Sequence, residues 1–152
     1  MLDSNVAISL VTPSAGHFDS WFALYEVYAG ERGVSVDRRS AGIVWRWLLD
    51  GTHRVGGVLA LDVRRNVVGF AIYHPFPHTL AGTEGCAIDD LYVAEVQRTG
   101  DLTHALLAWV CETARKRGWH QVRLACTLED PARALYDRLA EPLDQANYRI
   151  SL

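Results

Sequence analysis

Hydrophobic residues recur along this chain with two periods, which predicts strands interleaved with helices. Apolar and polar side chains alternate over residues 6–11, as in a first strand. Over residues 14–29 the apolar side chains recur at spacings of three and four, which is the stripe of an amphipathic helix. A second helical stripe follows Asp37, a favourable N-cap residue, and ends at Gly51.

The middle of the chain is rich in residues that favour strands. Two such runs, residues 54–63 and 66–74, predict a hairpin with its turn near Arg65. Residues 74–85 contain two prolines and two glycines, which predicts a surface loop. Another strand is expected over residues 85–94, and it leads towards the segment with the most candidate chemistry.

The last third of the chain predicts two more helices and two more strands. A helical stripe covers residues 104–117, and residues 121–127 alternate as a strand. Asp130, followed by proline, is expected to start the last helix, and residues 148–152 a final short strand. The whole pattern predicts one α/β domain, residues 1–152, with a central mixed β-sheet (α+β mixed) flanked by about four helices.

Charge and composition exclude several classes of function. The net charge of −3 leaves no basic surface for nucleic acid. Three widely spaced cysteines without zinc or redox spacing favour a cytoplasmic location, and we expect neither a leader nor a membrane segment. His74 and His78 could ligate a metal, but a proline-rich loop with no other nearby ligand makes us expect no metal site.

The turn at residues 94–103 is the first candidate binding site. It joins the strand at residues 87–93 to the helix at residues 104–117. Such a turn presents unpaired backbone N–H groups, and together with the helix dipole these attract phosphate. We therefore expect this turn to meet a phosphate-bearing cofactor.

At these positions the sequence resembles the GNAT superfamily of acyl-CoA-dependent N-acyltransferases. Residues 88–93 resemble the central strand of the family, and Arg98 stands where its R-x-x-G-x-G pyrophosphate loop begins. Residues 132–136 resemble the A-x-x-L-Y signature of its last helix. The order of the other predicted elements agrees, so the resemblance covers nearly the whole chain.

The resemblance implies a GNAT-like fold, acetyl-CoA as the acyl donor and a homodimer. Within the superfamily the chain looks most like the polyamine (diamine) acetyltransferases, because of Tyr25-Glu26 and the acidic segment at residues 139–148. This branch implies transfer of an acetyl group to a primary amine of a small cationic substrate, whose distant charge Glu26 would attract. The implied cofactor-binding residues are Leu91, Tyr92, Val93, Arg98, Thr99, Gly100, Asp101, Leu102 and Thr103.

The pyrophosphate loop departs from the motif at two positions. Asp101 and Thr103 stand where the motif has glycines, and Gly100 supplies a glycine one place early. Glycine allows the backbone to approach phosphate closely, whereas Asp101 or Thr103 could cap the helix and occupy its N–H groups. A GNAT-fold binding or regulatory module without catalysis is therefore the alternative to an enzyme, and an unrelated α/β enzyme or nucleotide binder is a third hypothesis.

Acetyl transfer to an amine needs a base, an oxyanion stabiliser and a proton for the departing thiolate. Asp89 is the candidate base, acting through water. Asp90 is the adjacent alternative and a candidate substrate-binding residue, since strand alternation should let only one of the two face the site. Tyr136 resembles the tyrosine that protonates the thiolate in many family members, and the N–H groups of residues 91–93 could polarise the thioester carbonyl.

Each of these residues also has a purely structural interpretation. The two aspartates could form a solvated strand end or pair with an arginine. Tyr136 could be a core aromatic, because its helical stripe would bury it in any case. Glu26 could be an ordinary exposed helix residue.

Overall fold

The fold is known from a computed structural model that describes residues 7–98 and 100–152. Within these residues, strands and helices alternate as the hydrophobic pattern predicts, which confirms the α/β class. Two short 3-10 turns, Ala15–His17 and Glu95–Gln97, precede the first and third helices. The elements in chain order are β1 (Ser9–Val11), α1 (Phe18–Glu31), α2 (Arg38–Leu49), β2 (Gly56–Leu61), β3 (Val67–His78), β4 (Thr83–Val93), α3 (Asp101–Lys116), β5 (Val122–Leu124) and α4 (Arg133–Leu139).

The described strands form one mixed sheet in the order β1-β2-β3-β4-β5. Each neighbouring pair is antiparallel except β4 and β5, which are parallel because α3 connects them. The predicted β2–β3 hairpin is confirmed, and its turn places Arg65 at a φ of 65°. The Asp62 carboxylate accepts the backbone N–H groups of Arg64 and Asn66, which fixes this turn.

Both faces of the sheet are covered, so the chain has two hydrophobic clusters. One lies between the sheet and α3, where Leu106 and Val110 are fully buried. The other lies between the sheet and the first two helices, around Trp21 and Trp45. Because helices pack on both sides, the central strands are nearly continuous runs of buried residues.

A β-bulge interrupts the pairing of β3 with β4 near the two candidate aspartates. Ile72 pairs with Asp90 and Tyr73 with Ile88, so Asp89 is the extra residue. The bulge reverses the alternation of β4. Asp90 therefore faces α1, although Ile88, two positions earlier, faces α3.

Two of the predicted elements are wrong. Residues 74–85 form a hairpin rather than a loop, since β3 runs to His78 and β4 starts at Thr83. The prolines are tolerated because β2 stops pairing with β3 at Tyr73, which leaves the rest of β3 with a neighbour on one side only.

The predicted strand at residues 148–152 is also absent, although its apolar residues alternate. Tyr148 and Ile150 are 93% and 86% exposed, and the segment pairs with no strand in the described part of the chain. Alternation alone does not make a strand, because its backbone groups need a hydrogen-bonding partner. No helix among the described residues is both long and apolar enough to cross a bilayer.

Candidate active site

The candidate site is a cleft where β4 and β5 separate. The two strands pair only from Cys86–Val122 to Ile88–Leu124, and β4 then continues to Val93 paired with β3 on its other side. The cleft has a volume of about 780 Å³. One wall is formed by residues 91–93 of β4 and the end of α1, the other by residues 127–136, and the start of α3 closes one end.

The start of α3 is suited to bind phosphate. Gly100 has a φ of 90° and is the N-cap residue, and no side chain caps the helix among the described residues. Neither Asp101 nor Thr103 therefore occupies the N–H groups of the first turn, which the sequence left open. Gly100 and Thr103 line the cleft, whereas Asp101 lies in an adjacent shallow depression. This end suits a phosphate group, such as the pyrophosphate of the cofactor that the sequence resemblance implies, because exposed helix N–H groups are the donors that phosphate needs.

Two other predicted loop residues differ in what they can offer. The Leu102 side chain is buried against Gly69, so only its backbone can contact a cofactor. Thr99 lies outside the described residues.

Arg98 lies in the cleft, but its Nε and Nη2 donors are bonded within the chain. Its Nε donates to the Val93 carbonyl at 3.0 Å and its guanidinium to the Tyr92 hydroxyl at 2.8 Å. The guanidinium also forms a 3.2 Å ion pair with Glu31, whose carboxylate accepts the Tyr92 hydroxyl at 2.7 Å. The hydrogen bond from Tyr92 holds the pKa of Glu31 below its ordinary value, and Arg98 adds to this effect. In this structure Arg98 ties the loop to β4 and α1.

Asp90 lies directly behind the cleft wall. The Tyr28 hydroxyl, which belongs to the wall, donates to Asp90 Oδ1 at 2.5 Å. Burial raises the pKa of Asp90, with nearby Asp89 in the same direction, and the hydrogen bond from Tyr28 opposes this shift. A carboxylate with a raised pKa is a stronger base than an exposed one, which suits it to accept a proton from an amine.

Asp89 occupies a different environment. His74 Nδ1 lies 2.6 Å from Asp89 Oδ2, as a hydrogen bond or, when the imidazole is protonated, an ion pair. Asp89 does not line the cleft. The two carboxylates thus have different partners, His74 for Asp89 and Tyr28 for Asp90, and neither lines the cleft directly.

Tyr136 lines the wall opposite β4. It is 9% exposed, and its hydroxyl has no hydrogen-bond partner among the described residues. Burial raises the pKa of the phenol, and the charges of Asp130 and Cys126 add to the shift. Tyr136 is therefore protonated at neutral pH and can donate a hydrogen bond into the cleft.

Three residues at the C-terminal end of α1 line the cleft, although the sequence analysis did not single them out as site residues. These are Tyr28, Glu31 and Arg32. The helical stripe marks Tyr28 only as a packing residue, and no motif marks the other two. Glu26, the residue expected to attract a cationic substrate, is exposed and does not line the cleft.

Comparison with known proteins agrees with this architecture. Residues 21–140 match the model of the acetyltransferase (GNAT) family. No curated protein sequence matches the chain. A solved structure of ribosomal-protein-alanine N-acetyltransferase from Brucella melitensis biovar Abortus 2308 is 22% identical, with a TM-score of 0.75 over 96% of this chain and 100% of that chain.

Two further solved structures are similar in fold. An aminoglycoside acetyltransferase from an uncultured soil metagenomic sample is 19% identical, with a TM-score of 0.71 over 97% of this chain and 99% of that chain. A transcriptional regulator from Bacillus halodurans C-125 is 15% identical, with a TM-score of 0.79 over 96% and 100% of the two chains. These identities support the fold alone. Since the family model spans most of the chain, this protein belongs to the acetyltransferase (GNAT) family.

Proposed function

We propose that this protein transfers the acetyl group of acetyl-CoA to a primary amine of a small molecule. The observation that supports this most strongly is the separation of β4 from β5. It leaves the β5 side of residues 91–93 unpaired, in the same cleft as Tyr136 and the uncapped start of α3. The cleft thus combines backbone N–H donors for the thioester carbonyl, a tyrosine that can donate a hydrogen bond to the thioester sulfur, and a helix start that can bind phosphate.

Acetyl-CoA supplies the acetyl group as a thioester. Backbone N–H groups of residues 91–93 stabilise the negative charge that develops on the carbonyl oxygen when the amine attacks. Tyr136 donates a hydrogen bond to the leaving sulfur. A thiol has a reference pKa of about 8.5, so a phenol with a raised pKa stabilises the thiolate better than it protonates it.

The proton that the amine loses passes to a carboxylate. Asp90 has the environment of a base, but it reaches the cleft only through Tyr28. Asp89, which the sequence analysis made the candidate base, becomes the alternative, acting through water. The environment of Asp90 makes us favour it over Asp89 as the base. The substitutions described below distinguish the two possibilities.

The finer prediction of a polyamine-like acceptor has little support from the contacts of the site. It rests on the sequence resemblance, and Glu26 lies outside the cleft. A polyamine therefore belongs in the acceptor panel beside other amines.

The bonded state of Arg98 favours a second candidate, a GNAT-fold module that does not turn over. If Arg98 keeps its bonds to Glu31 and Tyr92, its Nη2 group is not free to bind the pyrophosphate. Asp101 adds a negative charge near the same end. Isothermal calorimetry with acetyl-CoA separates the two: the enzyme binds saturably, whereas the module binds only after Asp101→Gly, or not at all.

Release of CoA thiol in the presence of an amine panel tests the enzyme directly. We expect saturable turnover. Tyr136→Phe should lower kcat by roughly tenfold to a hundredfold, as loss of one transition-state hydrogen bond does. Asp90→Asn should lower it more than Asp89→Asn, while Asp144→Asn, an exposed residue outside the cleft, serves as the control. Unchanged turnover in both the Asp90 and Tyr136 variants would contradict the proposed mechanism.

A further inference from the structure

Arg32 places a positive charge in the cleft without an acidic partner. It directly follows α1, and its guanidinium carbon lies 4.6 Å from the centroid of the Tyr28 ring. Within residues 7–98 and 100–152, no carboxylate oxygen lies within 4.0 Å of this guanidinium. This distinguishes Arg32 from Arg98, which pairs with Glu31 in the same cleft.

Arg32 packs on the part of the cleft wall that lies in front of Asp90. Its ring partner Tyr28 bonds to Asp90, whereas Arg98 bonds to the carbonyl of Val93. Asp90 and Val93 are three positions apart in the sequence, a distance of about 10 Å along β4. The phosphate end has its own cation in Arg138, which lines the cleft and the depression beside Gly100.

The charge of Arg32 acts on both walls of the cleft. It lowers the pKa of Asp90 and Tyr28 on the β4 side, and that of Tyr136 on the α4 side, against the larger effect of burial. Arg32 lines the same cleft as Tyr136 and lies against Tyr28, the residue that bonds to Asp90.

We propose that Arg32 binds a carboxylate of the acyl acceptor, so that the substrate is a free amino acid. This inference rests on the proposed function. The acceptor amine would face the Tyr28 hydroxyl, which bonds to Asp90, and the acceptor carboxylate would face the guanidinium that lies on the Tyr28 ring. A guanidinium holds a carboxylate through two parallel hydrogen bonds, which also orients the molecule. A polyamine would instead bring a second cation against Arg32, and this repulsion disfavours it.

Matched acceptor pairs that differ only by a carboxylate test the inference. Suitable pairs are lysine with cadaverine, arginine with agmatine, and phenylalanine with phenethylamine. Spermidine adds a polyamine, a short peptide adds a free N-terminal amine, and phosphoethanolamine tests phosphate in place of carboxylate. We expect kcat/KM for acetylation to be highest for an amino acid and at least about tenfold lower for its decarboxylated partner, since hydrogen bonds to charged groups are strong.

Substitution of Arg32 should remove this preference. In Arg32→Met we expect kcat/KM for the amino acid to fall about tenfold to a hundredfold, mainly through KM, with little change for the decarboxylated amine. Arg32→Lys keeps the positive charge but loses the planar guanidinium, so its kcat/KM for the amino acid should lie between those of the wild type and Arg32→Met. Arg46→Met removes an exposed arginine of α2 outside the cleft and should leave all rates unchanged.

The outcomes separate the two proposals. If acetylation occurs but decarboxylated amines, spermidine, the peptide or phosphoethanolamine react best, the carboxylate inference is overturned and the proposed function stands. Equal losses for every acceptor in Arg32→Met would also overturn it, because Arg32 would then act on the reaction or the fold rather than on the carboxylate. Absence of turnover with every acceptor would overturn the proposed function, and the inference with it.

Discussion

Folding partly buries the Asp90 carboxylate, and its hydrogen-bond partner among the described residues is the Tyr28 hydroxyl. The extra residue of the β-bulge causes this arrangement, since without it Asp90 would lie on the α3 face with Ile88. Because burial outweighs the hydrogen bond, the pKa of Asp90 is raised. The property that suits Asp90 to act as a base is therefore also a cost to the folded state.

Asp90→Asn should raise the melting temperature at neutral pH. A carboxyl whose pKa is raised by folding favours the folded state only below its unfolded pKa, and it loses that contribution as pH rises through the folded value. At neutral pH the ionised group is thus destabilising, and asparagine keeps an oxygen for Tyr28 without the charge.

Thermal unfolding from acid to neutral pH checks this prediction. The difference between wild type and Asp90→Asn should shrink below about pH 4, where the carboxyl is protonated in both states. Asp144→Asn, which is exposed, should change little across the range. A lower melting temperature for Asp90→Asn at neutral pH would show that the charge is stabilised by more than Tyr28.

The junction between β4 and α3 depends on one glycine. Gly100 has a φ of 90°, a backbone conformation that other residues adopt at a cost, yet a Cβ there would meet no atom within 4 Å. Its role is thus conformational rather than steric. Contacts with β4 and α1 also hold the loop that follows β4, because Arg98 bonds to Val93 and Glu31.

Gly100→Ala should destabilise the protein by about 1–2 kcal/mol, the cost of the left-handed region for an L-residue. It should also weaken acetyl-CoA binding, because relaxation of this residue moves the N–H groups of the first turn of α3. Gly100→Asn should cost less, since asparagine tolerates this region.

Chemical denaturation together with acetyl-CoA calorimetry measures both effects. Gly42→Ala is a matched control, because Gly42 lies inside α2 with no atom near its Cβ position. That variant should gain about 0.5–1 kcal/mol of stability. A Gly100→Ala protein as stable as wild type would mean that the turn adopts another conformation.

The complete domain is held together by two hydrophobic clusters on opposite faces of one sheet. Leu106 is fully buried between the sheet and α3, which connects the two strands that separate at the cleft. Packing of α3 therefore supports the fold and positions the site at once.

Leu106→Ala should lower the free energy of unfolding by about 2–5 kcal/mol, because it leaves a cavity in the core. Leu80 is 97% exposed in the β3–β4 turn, so Leu80→Ala should change stability by no more than about 0.5 kcal/mol. Urea denaturation of the two variants measures the contrast. A small loss for Leu106→Ala would indicate that α3 repacks around the missing side chain.

Much of this protein followed from the sequence alone. The order of strands and helices, the hairpin turn at Arg65 and the start of α2 after Asp37 are local properties, set by hydrophobic period, turn residues and capping. The family resemblance of residues 88–93 and 132–136 likewise lies in contiguous sequence, and the family match confirms it.

Other features depended on contacts between distant residues, and only the tertiary structure decided them. The bulge at Asp89 appears when β4 pairs with β3, and the strand expected at residues 148–152 is absent because no strand pairs with it. Arg32 and Tyr28 join the cleft because α1 packs against β4, which no local pattern records. Hydrophobic period determines which segments are strands and helices, whereas the environment of each polar side chain is set by the neighbours that packing brings to it.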